Sequence, residues 1–273
     1  MQQPPLLTDR PALLRQRRRA GVMFLQESVA AELDERLIEV NRVFTRPAVV
    51  TGFAGFWRQR WPGATVVPDD DLLDLTPGQH DLVIHALSLH WANDPVGQLV
   101  QCRNALVPDG LLIASLFGGQ TLHQLRIALA EAEVHLTGGL RPRVAPMGEV
   151  RDLGGLLQRA GLALPVADVT PLDVTYAGLA ALMADLRGMG EGNALAARPR
   201  HFSRKDLFAQ AESRYRSHFS LPDGRIPARF DIITLTGWAP AADQQQPQRP
   251  GSATHSLADA LRAQDGSNLA AGD

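Results

Sequence analysis

Three short apolar segments in the first half of the chain each end in residues that could bind a ligand. The first leads into Thr51 and Gly52, and Gly55 follows in the same turn. Glycine lets a ligand approach the backbone closely, and a helix beginning behind the turn would favour negative charge. A tight turn between a strand and a helix explains the same glycines equally well.

The second segment ends in the acidic trio Asp69, Asp70 and Asp71, with Asp74 further along. A carboxylate at the end of a parallel strand can accept hydrogen bonds from the two hydroxyls of a ribose. A solvated acidic loop is the competing interpretation of these residues. The spacing of a cation-binding loop is absent, so we predict no metal ion here.

The third segment ends in His85 and Leu87, and the pair His90 and Trp91 lies just beyond it. Histidine titrates near neutral pH and tryptophan offers a flat face for stacking, so this pair could border a substrate site. A hydrogen-bonded core histidine beside a packed tryptophan is the alternative. His90 has no Cys, His or carboxylate at a metal-ligand spacing, and the chain has no Gly-x-Ser-x-Gly sequence. We therefore predict neither a metalloenzyme nor a serine hydrolase.

Alternating strands and helices position these residues. The apolar pattern predicts strands over 48–52, 64–67, 80–87 and 111–117, separated by helices over 54–61, 95–106 and 121–136. This alternation is typical of a doubly wound α/β fold with a parallel sheet and helices on both faces. Asp94 is predicted as the N-cap of the second of these helices, with Pro95 at its first position.

The remaining segments define the predicted domain organisation. A three- and four-residue apolar period predicts one long helix over 11–44, with the arginines at 15 and 17–19 on its solvated face. We predict an N-terminal helical segment over 1–46, an α/β domain over 47–239 with a helical insertion near 175–222, and a tail without a core over 240–273. The tail is rich in Gln, Pro, Ala, Gly and Ser.

Composition limits the classes of function. The 273 residues carry 27 basic and 29 acidic side chains, so the net charge of −2 does not favour nucleic-acid binding. No segment has the roughly 18 successive apolar residues of a membrane-spanning helix. Cys102 is the only cysteine, which excludes an intramolecular disulfide and favours a reducing compartment. We therefore expect a cytoplasmic protein.

Several blocks of this sequence resemble class I S-adenosylmethionine-dependent methyltransferases. Residues 80–95 and 106–112 are similar to the fourth-strand block of that superfamily and to its proline-glycine turn. Residues 118–126 and 185–193 resemble blocks of a smaller group that contains a mitochondrial complex I assembly factor, and 249–253 is similar to the C-terminus of that group. The malonyl-carrier-protein methyltransferases are more distant relatives.

This resemblance implies a class I methyltransferase fold and S-adenosylmethionine as cofactor. It implies a methyltransferase with a protein substrate or, as the alternative, a non-catalytic or arginine-hydroxylating assembly factor that acts on a client of respiratory complex I. His90 and Trp91 would then border the substrate mouth. The candidate cofactor-binding residues are Thr51, Gly52, Gly55, Asp70, Asp71, His85 and Leu87.

The chain departs from the family where the cofactor should bind. The family loop reads roughly Asp-Leu-Gly-Cys-Gly-x-Gly, whereas residues 49–55 lack the initial acid and carry Phe53 in place of the middle glycine. Residues 48–81 are also too few for the two strand-helix units that the family has there, because one such unit takes about 30 residues. We therefore predict a fold shortened by one unit in its N-terminal half, with an extra N-terminal helix.

Overall fold

A single six-stranded sheet organises the protein. The computed structural model describes residues 6–244, and the described residues up to Pro240 form one compact unit. The predicted tail lies outside the described residues from position 245 onward, as does the similarity at 249–253. The strands are β1 (Pro47–Thr51), β2 (Thr65–Val67), β3 (His80–Ala86), β4 (Leu106–Gly118), β5 (Ala163–Tyr176) and β6 (Ile226–Trp238).

The strand order is β2-β1-β3-β4-β6-β5. Neighbouring strands pair in parallel from β2 through β4, as predicted, whereas β6 is antiparallel to both β4 and β5. The sheet is therefore mixed, because β6 departs from the predicted parallel arrangement. Only one strand, β2, stands between β1 and β3 along the chain, which confirms the predicted shortening of the N-terminal half.

Eight helices accompany the sheet within the described residues. They are α1 (Arg10–Arg17), α2 (Phe24–Val40), α3 (Ala54–Arg60), α4 (Pro95–Ala105), α5 (His123–Thr137), α6 (Val150–Arg159), α7 (Leu179–Gly188) and α8 (Lys205–Phe219). The predicted N-cap of α4 is confirmed, because Asp94 Oδ1 accepts from the backbone N–H of Gly97 at 2.8 Å. None of the helices in residues 6–244 is both long and apolar enough to span a bilayer.

The single N-terminal helix predicted over 11–44 was wrong. The chain leaves the helical conformation between α1 and α2, where the N–H groups of Gly21 and Val22 donate to the carbonyl of Gly188 at 2.8 and 3.0 Å. These long-range bonds replace helical ones and fasten the break to the end of α7. Because of the break, α1 takes its own direction and docks separately.

The core lies on both faces of the sheet because successive side chains of a strand point to opposite sides. In β3, Leu82 and Ile84 pack in the cluster that includes side chains of α2, α5, α7 and α8. Val83 points the other way, into the cluster with Leu99 of α4 and Leu157 of α6. This doubly covered arrangement is the one expected from strands that read as continuous apolar runs.

Cys102 of α4 is fully buried in the second of these clusters, and burial raises the pKa of its thiol to about 12. Because the thiolate is the reactive form, we expect the folded protein to react with iodoacetamide at pH 8 at least about a thousandfold more slowly than a free thiol. Mass spectrometry of the intact protein measures the label directly, since the chain has one cysteine. Unfolding in guanidinium chloride should restore full labelling, and rapid labelling without denaturant would contradict this burial.

Candidate ligand-binding site

The carboxyl ends of β1 and β3 form a crevice where ligands bind in open α/β sheets. The chain passes from β1 to β2 on one side and returns to β3 on the other, so the strand order reverses between β1 and β3. Ligands of such sheets bind at this point of reversal. Thr51 ends β1 here, and Gly52 follows it, as predicted from their order in the sequence.

The guanidinium group of Arg17 fills this crevice. A Cβ atom placed on Gly52 would lie 2.3 Å from Arg17 Nη1 and 2.4 Å from its Cζ. The same guanidinium lies 5.6 Å from the centre of the Phe53 ring. Its side chain is only 2% exposed, so the prediction that the arginines at 15–19 form a solvated face was wrong for Arg17. Gly52 does allow a close approach to its backbone. The group that approaches is the Arg17 side chain of the same protein and not a ligand.

Arginines of α1 also neutralise the acidic loop after β2. Arg17 Nη1 donates to both carboxylate oxygens of Asp69 at 2.8 Å, and Arg10 Nη2 donates to Asp69 Oδ1 and Asp70 Oδ1 at 2.8 Å. Burial by itself would raise the pKa of Asp69, but the two arginines lower it well below its usual value. Asp71 is exposed, and only its backbone carbonyl is engaged, by Gln101 Nε2 at 3.0 Å.

His85 holds the acidic loop in place from inside the core. Its Nε2 lies 2.7 Å from Gln98 Oε1, and Gln98 Nε2 donates to the backbone carbonyls of Asp69 and Asp70 at 3.3 and 3.0 Å. Burial lowers the pKa of His85, which favours the neutral imidazole. The fully buried ring therefore positions the loop and is not accessible to a ligand.

Two further candidates lie away from the crevice contacts. Leu87 is packed in the hydrophobic core, and a Cβ atom on Gly55 would meet open space. Their assignment to a cofactor stays a prediction. With α1 docked, S-adenosylmethionine does not fit the crevice, because Arg17 covers Gly52 and Arg10 holds the Asp70 carboxylate, whereas Asp71 stays exposed.

His90 and Trp91 line a different feature, a cavity of about 270 Å³ beside the first face of the sheet. Its walls are mainly apolar and come from β4, β6, α5, α7, α8 and the loop before α6. They include Phe117, Leu125, Met147, Met183, Phe208 and Phe230.

A buried carboxylate, Glu191, gives this cavity its polar end. Trp91 Nε1 donates to Glu191 Oε2 at 2.7 Å, and His90 Nε2 lies 3.2 Å from the same oxygen. The N–H of Phe117 points at His90 Nδ1 at 3.4 Å, which makes Nδ1 the acceptor and leaves the proton on Nε2. Both ring systems therefore donate to one oxygen of Glu191.

The other oxygen, Glu191 Oε1, is buried and has no donor among the residues that the structure describes. Burial by itself would raise the pKa of Glu191, but nearby His90 and Arg17 and the Trp91 bond lower it below its usual value. The group is thus a buried carboxylate with one acceptor unused. Such an atom is costly unless a donor reaches it.

Two arginines also border the cavity. Arg143 is already engaged through Nη1 with Ser203 Oγ at 2.9 Å and through Nη2 with Glu133 Oε1 at 2.8 Å. Its buried Nε has no acceptor within residues 6–244. Arg187 is directed to the cavity edge, where its Nε donates to the Met183 carbonyl at 3.0 Å. No cluster of His, Cys, Asp or Glu in the described part of the chain is arranged to hold a metal ion.

Comparison with known proteins assigns this chain to a family. The chain is 32% identical to the malonyl-[acyl-carrier protein] O-methyltransferase of Halorhodospira halophila over 220 residues, which cover 79% of this chain and 71% of that protein. It is 38% identical to the mitochondrial arginine-hydroxylase NDUFAF5 of Danio rerio over 198 residues, which cover 72% of this chain and 61% of that protein. The chain belongs to the class I methyltransferase superfamily.

The match to this family has limits in length. The chain spans about three fifths of the length of the vertebrate arginine-hydroxylase relatives that it matches. A solved structure of the YcgJ protein of Bacillus subtilis aligns with a TM-score of 0.47 at 11% identity, covering 74% of this chain and 94% of that one. No family profile matches the chain.

Three residues that matter in this methyltransferase-family protein were missed by sequence reasoning: Arg10, Arg17 and Glu191. No local signal distinguishes Arg17 from the exposed arginines beside it. Glu191 did carry a signal, because it lies in the block at 185–193 that resembles the complex I assembly factor group. The comparison of motifs pointed to the block but not to the pairing of its glutamate with Trp91.

Proposed function

We propose that this methyltransferase-family protein binds a client protein by holding an arginyl side chain in the cavity of His90, Trp91 and Glu191. The observation that carries the proposal is the buried Glu191 carboxylate, which lines the cavity and has one oxygen without a donor among residues 6–244. A guanidinium group supplies several N–H donors and a positive charge in a planar arrangement that matches a carboxylate. It would therefore satisfy the unused oxygen better than a neutral group.

The rest of the cavity fits the rest of an arginyl residue. The mainly apolar walls suit the three methylene groups of its stem, as long charged side chains commonly bury their stems against apolar surface. A peptide backbone also offers carbonyl oxygens, which the buried Nε of Arg143 lacks. The charge of Arg187 opposes a cation, so we expect modest affinity for the side chain alone and a contribution from the client around it.

The relatives support the same ligand chemistry. Proteins named arginine-hydroxylase in five organisms are 38–41% identical to this chain. The resemblance of 118–126 and 185–193 to a complex I assembly factor favours a client in respiratory complex I. We further infer a reducing compartment, with the cytoplasm as the predicted one, because the one cysteine is free and buried. The arginine-hydroxylase relatives are named as mitochondrial.

A small probe tests arginine binding without knowledge of the client. N-acetyl-L-argininamide should bind the full chain with a Kd on the order of 1 mM, a value that corresponds to about −4 kcal/mol. N-acetyl-L-citrullinamide has nearly the same shape but no charge, and it should bind at least about tenfold more weakly. Isothermal titration calorimetry or NMR line shapes of the probe measure both. Equal binding of the two probes, or of neither, would contradict the proposal.

Transfer of a methyl group from S-adenosylmethionine is the second candidate function. The observation that favours it is the Gly52 position itself, at the point of strand reversal and next to the Arg17 guanidinium that pairs with Asp69. When bound, the cofactor would supply the methyl electrophile, and the protein would orient the accepting group. This function requires that Arg17 leave the crevice.

A further inference from the structure

We propose that α1 blocks the cofactor crevice intramolecularly with its Arg17 side chain. The protein can then bind a nucleoside cofactor only after Arg17 has left the crevice. This inference does not depend on arginine binding in the Glu191 cavity. It rests on the place of the Arg17 guanidinium, between the end of β1 and the acidic loop that follows β2.

Two glycines shape the space around Arg17. A Cβ atom on Gly52 would overlap its guanidinium, and one on Gly190 would lie 3.2 Å from its Cα. Gly190 also has a φ of +77°, which a side chain rarely tolerates. The chain therefore approaches Arg17 closely on two sides. The Arg17 side chain is therefore packed inside the crevice and does not lie on its surface.

The start of α1 is fastened by several contacts. The N–H of Asp9 donates to the Ala194 carbonyl at 2.8 Å, and the N–H of Thr8 donates to Asn93 Oδ1 at 2.9 Å. Leu13 is completely buried in a small cluster with Trp91. These contacts hold the helix against the sheet edge, where its arginines reach the acidic loop.

With α1 docked, two N–H-bearing nitrogens of Arg17 nevertheless lack hydrogen-bond acceptors in the described part of the chain. Arg17 Nε and Nη2 are buried and have no acceptor among residues 6–244. A buried donor without a partner destabilises the state that contains it. The unpaired N–H groups lower the cost of moving Arg17 out of the crevice, while its ion pair with Asp69 and the nearby Glu191 carboxylate oppose that movement.

The experiment compares binding of S-adenosylmethionine and of S-adenosylhomocysteine, which lacks the sulfonium charge. Calorimetry should detect neither ligand on the wild-type chain. Arg17 fills the space that the nucleoside needs, so a ligand without the positive charge is excluded as well. Arg17→Ala should bind both, with a Kd at least about tenfold below the detection limit of the calorimeter. Arg15→Ala, an exposed position on the same helix, is the matched control and should behave as the wild type does.

A second variant guards against loss of the fold. Arg17→Ala leaves Asp69 buried with fewer partners, whereas Arg17→Ala/Asp69→Asn removes both charges of the pair, and circular dichroism verifies that each variant is folded. Gain of binding in either folded variant supports the proposal. Binding of either ligand to the wild type would overturn it. Failure of both folded variants to bind would overturn it as well, because something other than Arg17 would then bar the cofactor.

Discussion

Arg17→Ala should lower the free energy of unfolding by about 3–5 kcal/mol, the cost typical of removing one partner from a buried ion pair. Arg17 and Asp69 are 2% and 3% exposed, so solvent screens their interaction little. Without Arg17, the Asp69 carboxylate would keep only the Nη2 contact from Arg10. The loss therefore comes mainly from a buried charge left with too little compensation.

Urea denaturation of the wild type and three variants measures this effect. Arg15→Ala should change the free energy of unfolding by no more than about 0.5 kcal/mol, as exposed substitutions usually do. Arg17→Ala/Asp69→Asn should recover part of the loss, because the uncompensated charge is gone. A loss in Arg17→Ala no larger than in Arg15→Ala would contradict the buried pair.

The pH dependence of the difference in unfolding free energy between the wild type and Arg17→Ala provides an independent check. The pKa of Asp69 is lower in the folded state than in the unfolded chain, so its contribution to stability is present above about pH 4, near its unfolded pKa. It is lost as the pH falls below that value toward the folded pKa. The gap between wild type and Arg17→Ala should therefore narrow below pH 4 and stay constant from pH 5 to 7.

Glu191→Gln should weaken binding of N-acetyl-L-argininamide by about 10- to 100-fold. The substitution keeps the size of the side chain but removes a charge-assisted hydrogen bond, whose net contribution is about 1.5–3 kcal/mol. Its amide can also place an N–H group toward the guanidinium, which would repel the probe. The same substitution should weaken binding of the citrullinamide probe much less, because that probe brings no charge to the site.

A charge-neutralising control isolates the local effect from the change in net charge. Glu131→Gln removes a half-exposed carboxylate of α5 that pairs with His218, and it should leave probe binding unchanged. Because the pKa of Glu191 is lowered, wild-type binding should persist when the pH is reduced from 7 to 5. Equal weakening by both substitutions would mean that Glu191 does not contact the guanidinium.

The strand-helix alternation and the shortened N-terminal half could be predicted because both are local. The apolar run before Thr51 and the cap at Asp94 lie within a few residues of the elements that they delimit. The break between α1 and α2 could not be predicted in this way. Its hydrogen bonds go to the carbonyl of Gly188, more than 160 residues away in the chain.

The sequence by itself determined the family, the order of the elements and the edge of the sheet where ligand-binding residues gather. Only the tertiary structure decided which charges meet there. Arg17 and Asp69 are 52 residues apart, and Trp91 and Glu191 are 100 residues apart. The physical reason is that an arginine in a helical pattern looks the same whether solvent or a buried carboxylate faces it. That choice depends on how α1 docks, and docking depends on contacts from distant parts of the chain.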